Sequence, residues 1–110
     1  MAPKTKSDLI ERVRSALRDV PDVIEKRMFG SIGFMVRGKL AIGARSGRIL
    51  CRIDPKLRAE LLRLSGCRVV VMRDREMKGY VYVDESVLRN AKALKFWINL
   101  VLAYNGSISE

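Results

Sequence analysis

The sequence contains no histidine in its 110 residues, and this absence removes several classes of site. Histidine is the commonest general base, the partner of nucleophilic serine and cysteine, and a frequent ligand of zinc and iron. Catalysis by a carboxylate, a lysine or a tyrosine is compatible with the composition, but no spacing of such residues indicates it. We therefore expect a non-catalytic protein with no catalytic residues, no metal and no other cofactor.

Cysteine is almost as scarce, because the chain has only Cys51 and Cys67. Two thiols are too few for a structural zinc site unless other residues supply ligands. One disulfide between them is formally allowed, but each thiol lies in an apolar stretch of a predicted strand. The pattern favours two reduced thiols in or beside the core.

Long apolar runs are also missing, since no stretch reaches the ~18 residues that a membrane-spanning helix needs. The basic N-terminus is not followed by the apolar segment of a secretory signal, so we expect a cytoplasmic protein without membrane contact. The composition, 48% hydrophobic and 31% charged, is typical of a globular chain, and the length suits one domain. We place this domain at residues 5–104, with loose termini at 1–4 and 105–110.

Three helices are predicted from apolar residues that recur on one helical face. The first covers residues 5–20. The second follows the N-cap Asp54 and ends at Gly66, a residue suited to a left-handed cap. The third runs from the N-cap Asp84 to about residue 104.

Strands are indicated where apolar residues alternate with others at period two. The five predicted strands cover residues 32–36, 39–44, 48–53, 67–72 and 80–83. Arg37-Gly38 and Arg45-Ser46-Gly47 supply hairpin turns, so the first three strands form a meander. The order α-β(3)-α-β(2)-α predicts an α+β fold of two layers, in which helices lie mainly on one face of an antiparallel or mixed five-stranded sheet.

The same alternation assigns the side chains of the meander to two faces. The predicted core face carries Ile32, Phe34, Val36, Leu40, Ile42, Ala44, Ile49, Cys51 and Ile53. The predicted outward face carries the basic residues between them. Residues 73–79 read as a polar loop before the last strand.

Two blocks of residues carry a family resemblance over most of the chain. The first is Arg27-Met28-Phe29-Gly30, followed by Gly33-Phe34-Met35. The second reads Met-Lys-Gly-Tyr-Val-Tyr-Val-Asp at residues 77–84 and precedes a long helix carrying Trp97. Together they resemble the N-terminal domain of the TfoX (Sxy) family, named for bacterial regulators of DNA-uptake competence.

The resemblance implies a secretion-chaperone-like α+β fold, which agrees with the predicted order of elements. It also implies a regulatory role, and the family offers no established catalytic residues to carry over. Full-length competence regulators have a second, C-terminal helical domain, whereas this chain ends after the last predicted helix. We therefore expect a stand-alone domain, and the resemblance does not imply a role for it in competence.

Positive charge is the most uneven feature of the sequence, whose net charge is +10. Residues 26–75 hold thirteen lysines and arginines against three acids, while the segments on either side are each balanced. Five of these residues are predicted on the outward face of the meander, namely Arg37, Lys39, Arg45, Arg48 and Arg52. Such a surface indicates polyanion binding, with nucleic acid as the leading ligand. The alternative is a solvated surface in an organism whose proteins are arginine-rich.

A second hypothesis is homodimerisation, through the same face or through an edge strand. Met35 and Leu50 lie among the basic residues, and apolar groups beside arginines are typical of protein–protein contacts. Tyr80 and Tyr82 share one face of their strand and either stack on bases or serve as half-buried sheet residues. A small enzyme is the third alternative, with the charged segment 73–79 as the place for a site.

Overall fold

A computed structural model describes residues 8–28 and 30–108 of the chain, apart from the side chain of Asp8. In chain order its elements are α1 (Asp8–Ala16), β1 (Val23–Met28), β2 (Ser31–Val36), β3 (Lys39–Arg45), β4 (Arg48–Arg52), α2 (Arg58–Leu61), β5 (Cys67–Met72), β6 (Arg75–Asp84) and α3 (Ala91–Ile108). Short 3₁₀ turns at Pro55–Leu57 and Glu85–Val87 follow β4 and β6. The predicted start of the first helix, at residue 5, lies outside the described residues.

The six strands form one sheet in the order β1-β2-β3-β4-β6-β5, and all neighbouring strands are antiparallel. The predicted α+β class is confirmed, with six strands in place of five. The additional strand is β1, which lies at an edge of the sheet and whose four central residues are exposed. The run Ile24-Glu25-Lys26-Arg27 is exposed and does not alternate apolar with polar residues, so the local pattern does not distinguish β1 from a connector.

The core lies between one face of the sheet and the helices α1 and α3. Both helices pack against β3, and α3 also packs against β4. The largest fully buried side chains include Phe34, Ile42 and Ile49 from the sheet and Leu9 from α1. Near the end of α3, the buried Asn105 donates a hydrogen bond from Nδ2 to the carbonyl oxygen of Val36 at 3.0 Å. The predicted two layers are therefore observed.

A bulge between β2 and β3 places Leu40 on the face opposite the predicted one. Phe34 pairs with Ile42, but Met35 pairs with Leu40, so Ala41 is an extra residue of β3. Ala41 is buried in the core, and the alternation is reversed on its N-terminal side. The expectation that Leu40 belongs to the core is therefore wrong, because one extra residue exchanges the two faces.

The polar segment 73–79 is a hairpin and not a long loop. Arg73 and Asp74 both have positive φ, 51° and 62°, and form the two-residue turn between β5 and β6. Strand β6 begins at Arg75, several residues before its predicted start. Charged residues dominate the first half of β6, so the sequence pattern there does not indicate a strand.

Most helix ends differ from the predictions: α1 ends at Ala16 and not at residue 20, and α2 ends at Leu61 and not at Gly66. Asp54 caps its turn as expected, since its Oδ1 accepts from the backbone amide of Lys56 at 3.0 Å. At the third helix, Asp84 begins only a 3₁₀ turn, and Asn90 caps α3 through a 2.8 Å hydrogen bond from the amide of Ala93. The helix then continues past the expected end near residue 104 to Ile108, because Asn105 is anchored to the sheet.

Candidate functional site

Three of the five predicted basic residues lie together on the face of the sheet that α1 and α3 leave uncovered, which we call the open face. Arg45 and Arg48 are directly opposed across the β3–β4 hairpin, and Arg52 ends β4 on the same side. The residues between them on β4, Ile49 and Cys51, are fully buried on the other face. The regular alternation of β4 therefore gathers these three guanidinium groups on one surface.

The other two predicted residues, Arg37 and Lys39, do not join this group. Arg37 lies in the predicted two-residue turn with Gly38, where both residues have positive φ, and its Nη1 lies 3.5 Å from where a Cβ on Gly106 would be. Lys39 pairs with Val36, whose side chain is in the core, so Lys39 projects on the helix-covered side. The bulge that moves Leu40 to the open face moves Lys39 away from it.

Tyrosines of β6 orient the arginines of β4. The Cζ atom of Arg48 is 3.7 Å from the ring centroid of Tyr82, and that of Arg52 is 6.0 Å from the centroid of Tyr80. A cation–π contact contributes about 0.5–1 kcal/mol at an exposed site and also fixes the direction of the guanidinium group. The two tyrosines share one face as predicted, and the ring of Tyr82 is covered by an arginine.

Within residues 8–28 and 30–108, no carboxylate neutralises Arg45, Arg48 or Arg52. The acidic residue opposite Arg48 is Asp84, but its Oδ2 accepts a hydrogen bond from Nε of Arg68 at 3.0 Å and forms an ion pair with Nη2 of Arg68 at 2.9 Å. The Nε–H of Arg48 is buried and has no hydrogen-bond partner in the described part of the protein. The open face therefore holds guanidinium groups that tyrosine rings orient and that no carboxylate of the described residues pairs with.

The two predicted self-association residues, Met35 and Leu50, are half-buried on the open face. A more exposed apolar surface lies at the edge strand β5, where Val69, Val71 and Met72 are 41%, 53% and 46% exposed. The sequence predicts this valine-rich strand but does not indicate that it forms an edge. Strand order depends on long-range pairing, which the local pattern does not contain.

The two cysteines are buried and free, as expected. Burial raises the pKa of the Cys51 thiol far above its usual range, with a further contribution from Cys67, and burial raises the pKa of Cys67 to about 11. Both thiols are therefore protonated at neutral pH and are poor nucleophiles. Across the described ranges, no three Cys, Asp or Glu side chains come close enough to hold a metal ion, and no helix has the length and apolarity to cross a membrane.

Comparison with known proteins identifies the family. The model of the TfoX N-terminal domain matches residues 15–104, which is most of the chain. The chain belongs to the TfoX N-terminal domain family. The resemblance carried by the two sequence blocks is thereby confirmed.

In this TfoX N-terminal domain, the residues of the two family blocks form a turn and parts of strands. Gly30, with φ 83°, lies in the turn between β1 and β2, and Gly33 lies where a Cβ would meet the sulfur of Met28 at 2.6 Å. The second block coincides with the C-terminal part of β6. Both blocks therefore shape the sheet that carries the open face.

A solved structure supports the fold assignment. The crystal structure of a protein from Pseudomonas syringae matches with a TM-score of 0.62 and 12% sequence identity, covering 83% of this chain and 93% of that chain. Identity this low shows a shared fold and carries no information about function. The curated proteins give no match.

Proposed function

We propose that this TfoX N-terminal domain is a non-catalytic regulatory protein that binds nucleic acid through the open face. The observation that carries the proposal is the group formed by Arg45, Arg48 and Arg52, which share one surface and have no carboxylate partner within the described residues. Opposed like charges on adjacent strands are unfavourable, and a bound anion relieves that repulsion. A phosphate backbone supplies such anions in a row.

The contacts of the open face favour recognition of the backbone over recognition of bases. Arginine binds phosphate bidentately, and Arg48 already has its direction set by the ring of Tyr82. The same contact covers that ring, so stacking of a base on Tyr82 would require Arg48 to leave. We therefore propose binding without sequence specificity and with a steep dependence on salt.

The binding test is an oligonucleotide titration followed by fluorescence anisotropy at several salt concentrations, with single- and double-stranded DNA. We expect binding at ~50 mM salt that weakens steeply towards 200 mM. The double variant Arg45→Gln/Arg52→Gln should reduce the slope of log K against log salt by about 0.7 for each lost contact on single-stranded DNA.

The matched control is Lys92→Gln/Lys95→Gln, which removes the same charge from exposed positions on α3. Equal loss of affinity in the two double variants would show that net charge alone attracts DNA and that the open face has no special role. Absence of binding at ~50 mM salt would reject the proposal outright and would favour a simply solvated basic surface.

Self-association through β5 is a second candidate, favoured by the exposed apolar side chains Val69, Val71 and Met72 on an edge strand. An edge strand presents unpaired backbone groups that a second copy can extend into a larger sheet. The arginines of the open face are not needed for such pairing. The two candidate functions are therefore compatible with each other.

Light scattering at ~100 μM, well above the dissociation constants of stable dimers, tests self-association. We expect a dimer that Val71→Lys converts to a monomer, because a charge on an edge strand blocks edge pairing. The control is Ile24→Lys on β1, the opposite edge, where the side chain is 62% exposed. A monomeric wild-type protein at this concentration would contradict the proposal.

A further inference from the structure

The open face contains a cavity of about 300 Å³ that lies beside Arg48 and extends across the sheet. Residues from all six strands line it, so the sheet curves around the space. Its walls combine four apolar side chains with two arginines: Met28, Leu40, Leu50, Met72, Arg45 and Arg48. A concave, mostly apolar space with a few convergent polar groups is typical of a small-molecule site.

Two opposed glycines shape this cavity: Gly43 lines it directly, and Gly33 makes room for the side chain of Met28, which forms part of its wall. Gly33 and Gly43 are cross-strand partners on β2 and β3, so the sheet has no side chain at either position on the open face. The side chain of Met28 lies over Gly33, where it would collide with an added Cβ at 2.6 Å. At Gly43 an added Cβ would make only ordinary contact with Leu50, at 3.5 Å, so a longer side chain there would extend into the cavity.

The charged end of the cavity is preorganised for an anion. Arg48 is held on the ring of Tyr82, and its Nε–H is buried without a hydrogen-bond partner in the described part of the chain. Arg45 opposes it across the hairpin and adds a second guanidinium group. The nearest carboxylate in the register, that of Asp84, is engaged by Arg68 and does not line the cavity.

We propose that this cavity binds a small organic anion, with its carboxylate on Arg45 and Arg48 and its apolar body between the methionine and leucine side chains. A carboxylate matches the fork of donors on a guanidinium group. Methionine side chains adapt to apolar bodies of different shape, which suits an aliphatic or aryl chain. The volume is at the lower end of the range for small-molecule sites, so the ligand is a short amphiphile rather than a long lipid.

This inference goes beyond the nucleic-acid proposal, because it needs the apolar cavity as well as the charge. A phosphate backbone uses Arg45, Arg48 and Arg52 without entering the space above Gly43. A short amphiphile uses that space and does not require Arg52, which is absent from its lining. Each proposal can therefore fail while the other stands.

The test is a titration of ¹⁵N-labelled protein with octanoate, followed by amide chemical shifts and by calorimetry. Octan-1-ol has the same chain without the charge, and acetate has the charge without the chain. We expect octanoate to shift the amides of β3 and β4 around Gly43 and Leu50, with much weaker effects from the other two probes. Equal effects of octanol and octanoate, or no shifts in the cavity with millimolar octanoate, would overturn the proposal.

Two variants separate the charge from the cavity. Arg48→Gln should weaken octanoate binding about ten- to hundredfold, the effect expected for one lost charge-assisted hydrogen bond. Gly43→Val keeps every charge and narrows the cavity, so it should weaken octanoate binding and leave oligonucleotide affinity unchanged. The control for charge is Lys92→Gln on α3, which should bind octanoate like wild type.

Thermal unfolding of each variant checks that the fold is retained. Gly43→Ala provides a milder change, since its Cβ fits in ordinary contact with Leu50, and it should weaken octanoate binding less than valine does. Octanoate affinity unchanged in a folded Gly43→Val protein would show that the carboxylate binds elsewhere and would reject the site.

Discussion

The two faces of β4 differ in what they contribute to the protein. On one face, Ile49 and Cys51 are fully buried beneath the helices. On the other, Leu50 is half-buried and the flanking arginines meet solvent and tyrosine rings. Neighbouring residues on one strand therefore serve two purposes: the covered face supplies the free energy of folding, and the open face keeps groups available for a ligand.

The sharpest test of this difference compares Ile49→Ala with Leu50→Ala. Truncating a fully buried isoleucine removes transfer free energy and leaves a cavity, so we expect a loss of about 2–5 kcal/mol in the free energy of unfolding. The side chain of Leu50 lines an existing cavity and is partly solvated, so its loss should cost no more than about 1.5 kcal/mol. Urea unfolding with comparable m values measures both.

Similar losses for the two variants would contradict the assignment of the two faces. They would indicate that another surface covers Leu50 in solution, as in a dimer formed through the open face. Repeating the measurement at several protein concentrations separates these cases, because dimer stability depends on concentration.

The regular parts of the covered and open faces could be predicted from sequence. In β4 the period of two is unbroken, and the prediction placed Arg48, Leu50 and Arg52 on one face and Ile49 and Cys51 on the other, as the structure does. The α+β class and the three helices followed from the same local periodicity.

The errors arose where a long-range contact overrides the local pattern. One extra residue, Ala41, reverses the alternation at the start of β3. The local pattern therefore predicts Leu40 in the core and Lys39 among the arginines of the open face, and both predictions are wrong. Likewise, the last helix extends beyond its apolar stripe because Asn105 bonds to a carbonyl of β2. A bulge and a buried side-chain hydrogen bond depend on residues distant in sequence.

The cavity of the open face could not be predicted from the sequence either, because it too depends on contacts between residues distant in sequence. Its lining joins Met28 and Met72, which belong to the two edge strands at opposite ends of the sheet. Only the strand order and the curvature of the sheet bring them to one space. The paired glycines were visible in the sequence, but their registration across β2 and β3 was not.

The ion pairs of the two faces provide a smaller contrast. On the helix-covered side, Arg14 of α1 donates from Nε and Nη2 to the two carboxylate oxygens of Glu25 on β1, at 2.7 and 2.8 Å. Arg14 also pairs with Glu11. On the open face, Arg68 and Asp84 join β5 to β6. The first pair attaches a helix to the sheet, whereas the second lies within the sheet.

The hydrogen bonds from Arg14 hold the pKa of Glu25 below its usual range. A carboxylate whose pKa is depressed by folding stabilises the folded state above its unfolded pKa, and that contribution is lost as the pH falls through the folded value. The pair is partly exposed, so Glu25→Gln should lower the free energy of unfolding by only about 0.2–1 kcal/mol at neutral pH. The difference between variant and wild type should shrink as the pH falls below the ordinary pKa of a glutamate, and it should vanish only below the depressed pKa of Glu25.

Urea unfolding between neutral pH and pH ~3, below the ordinary pKa of a glutamate, measures this difference, with Asp84→Asn as the control from the open face. If Arg14–Glu25 anchors α1 to the edge of the sheet, Glu25→Gln should also speed hydrogen exchange at the amides of α1, whereas Asp84→Asn should not. Faster exchange in α1 in both variants would mean that the two faces are coupled through the sheet. Unchanged exchange in both variants would show that the Arg14–Glu25 ion pair is a solvated surface contact that does not anchor α1.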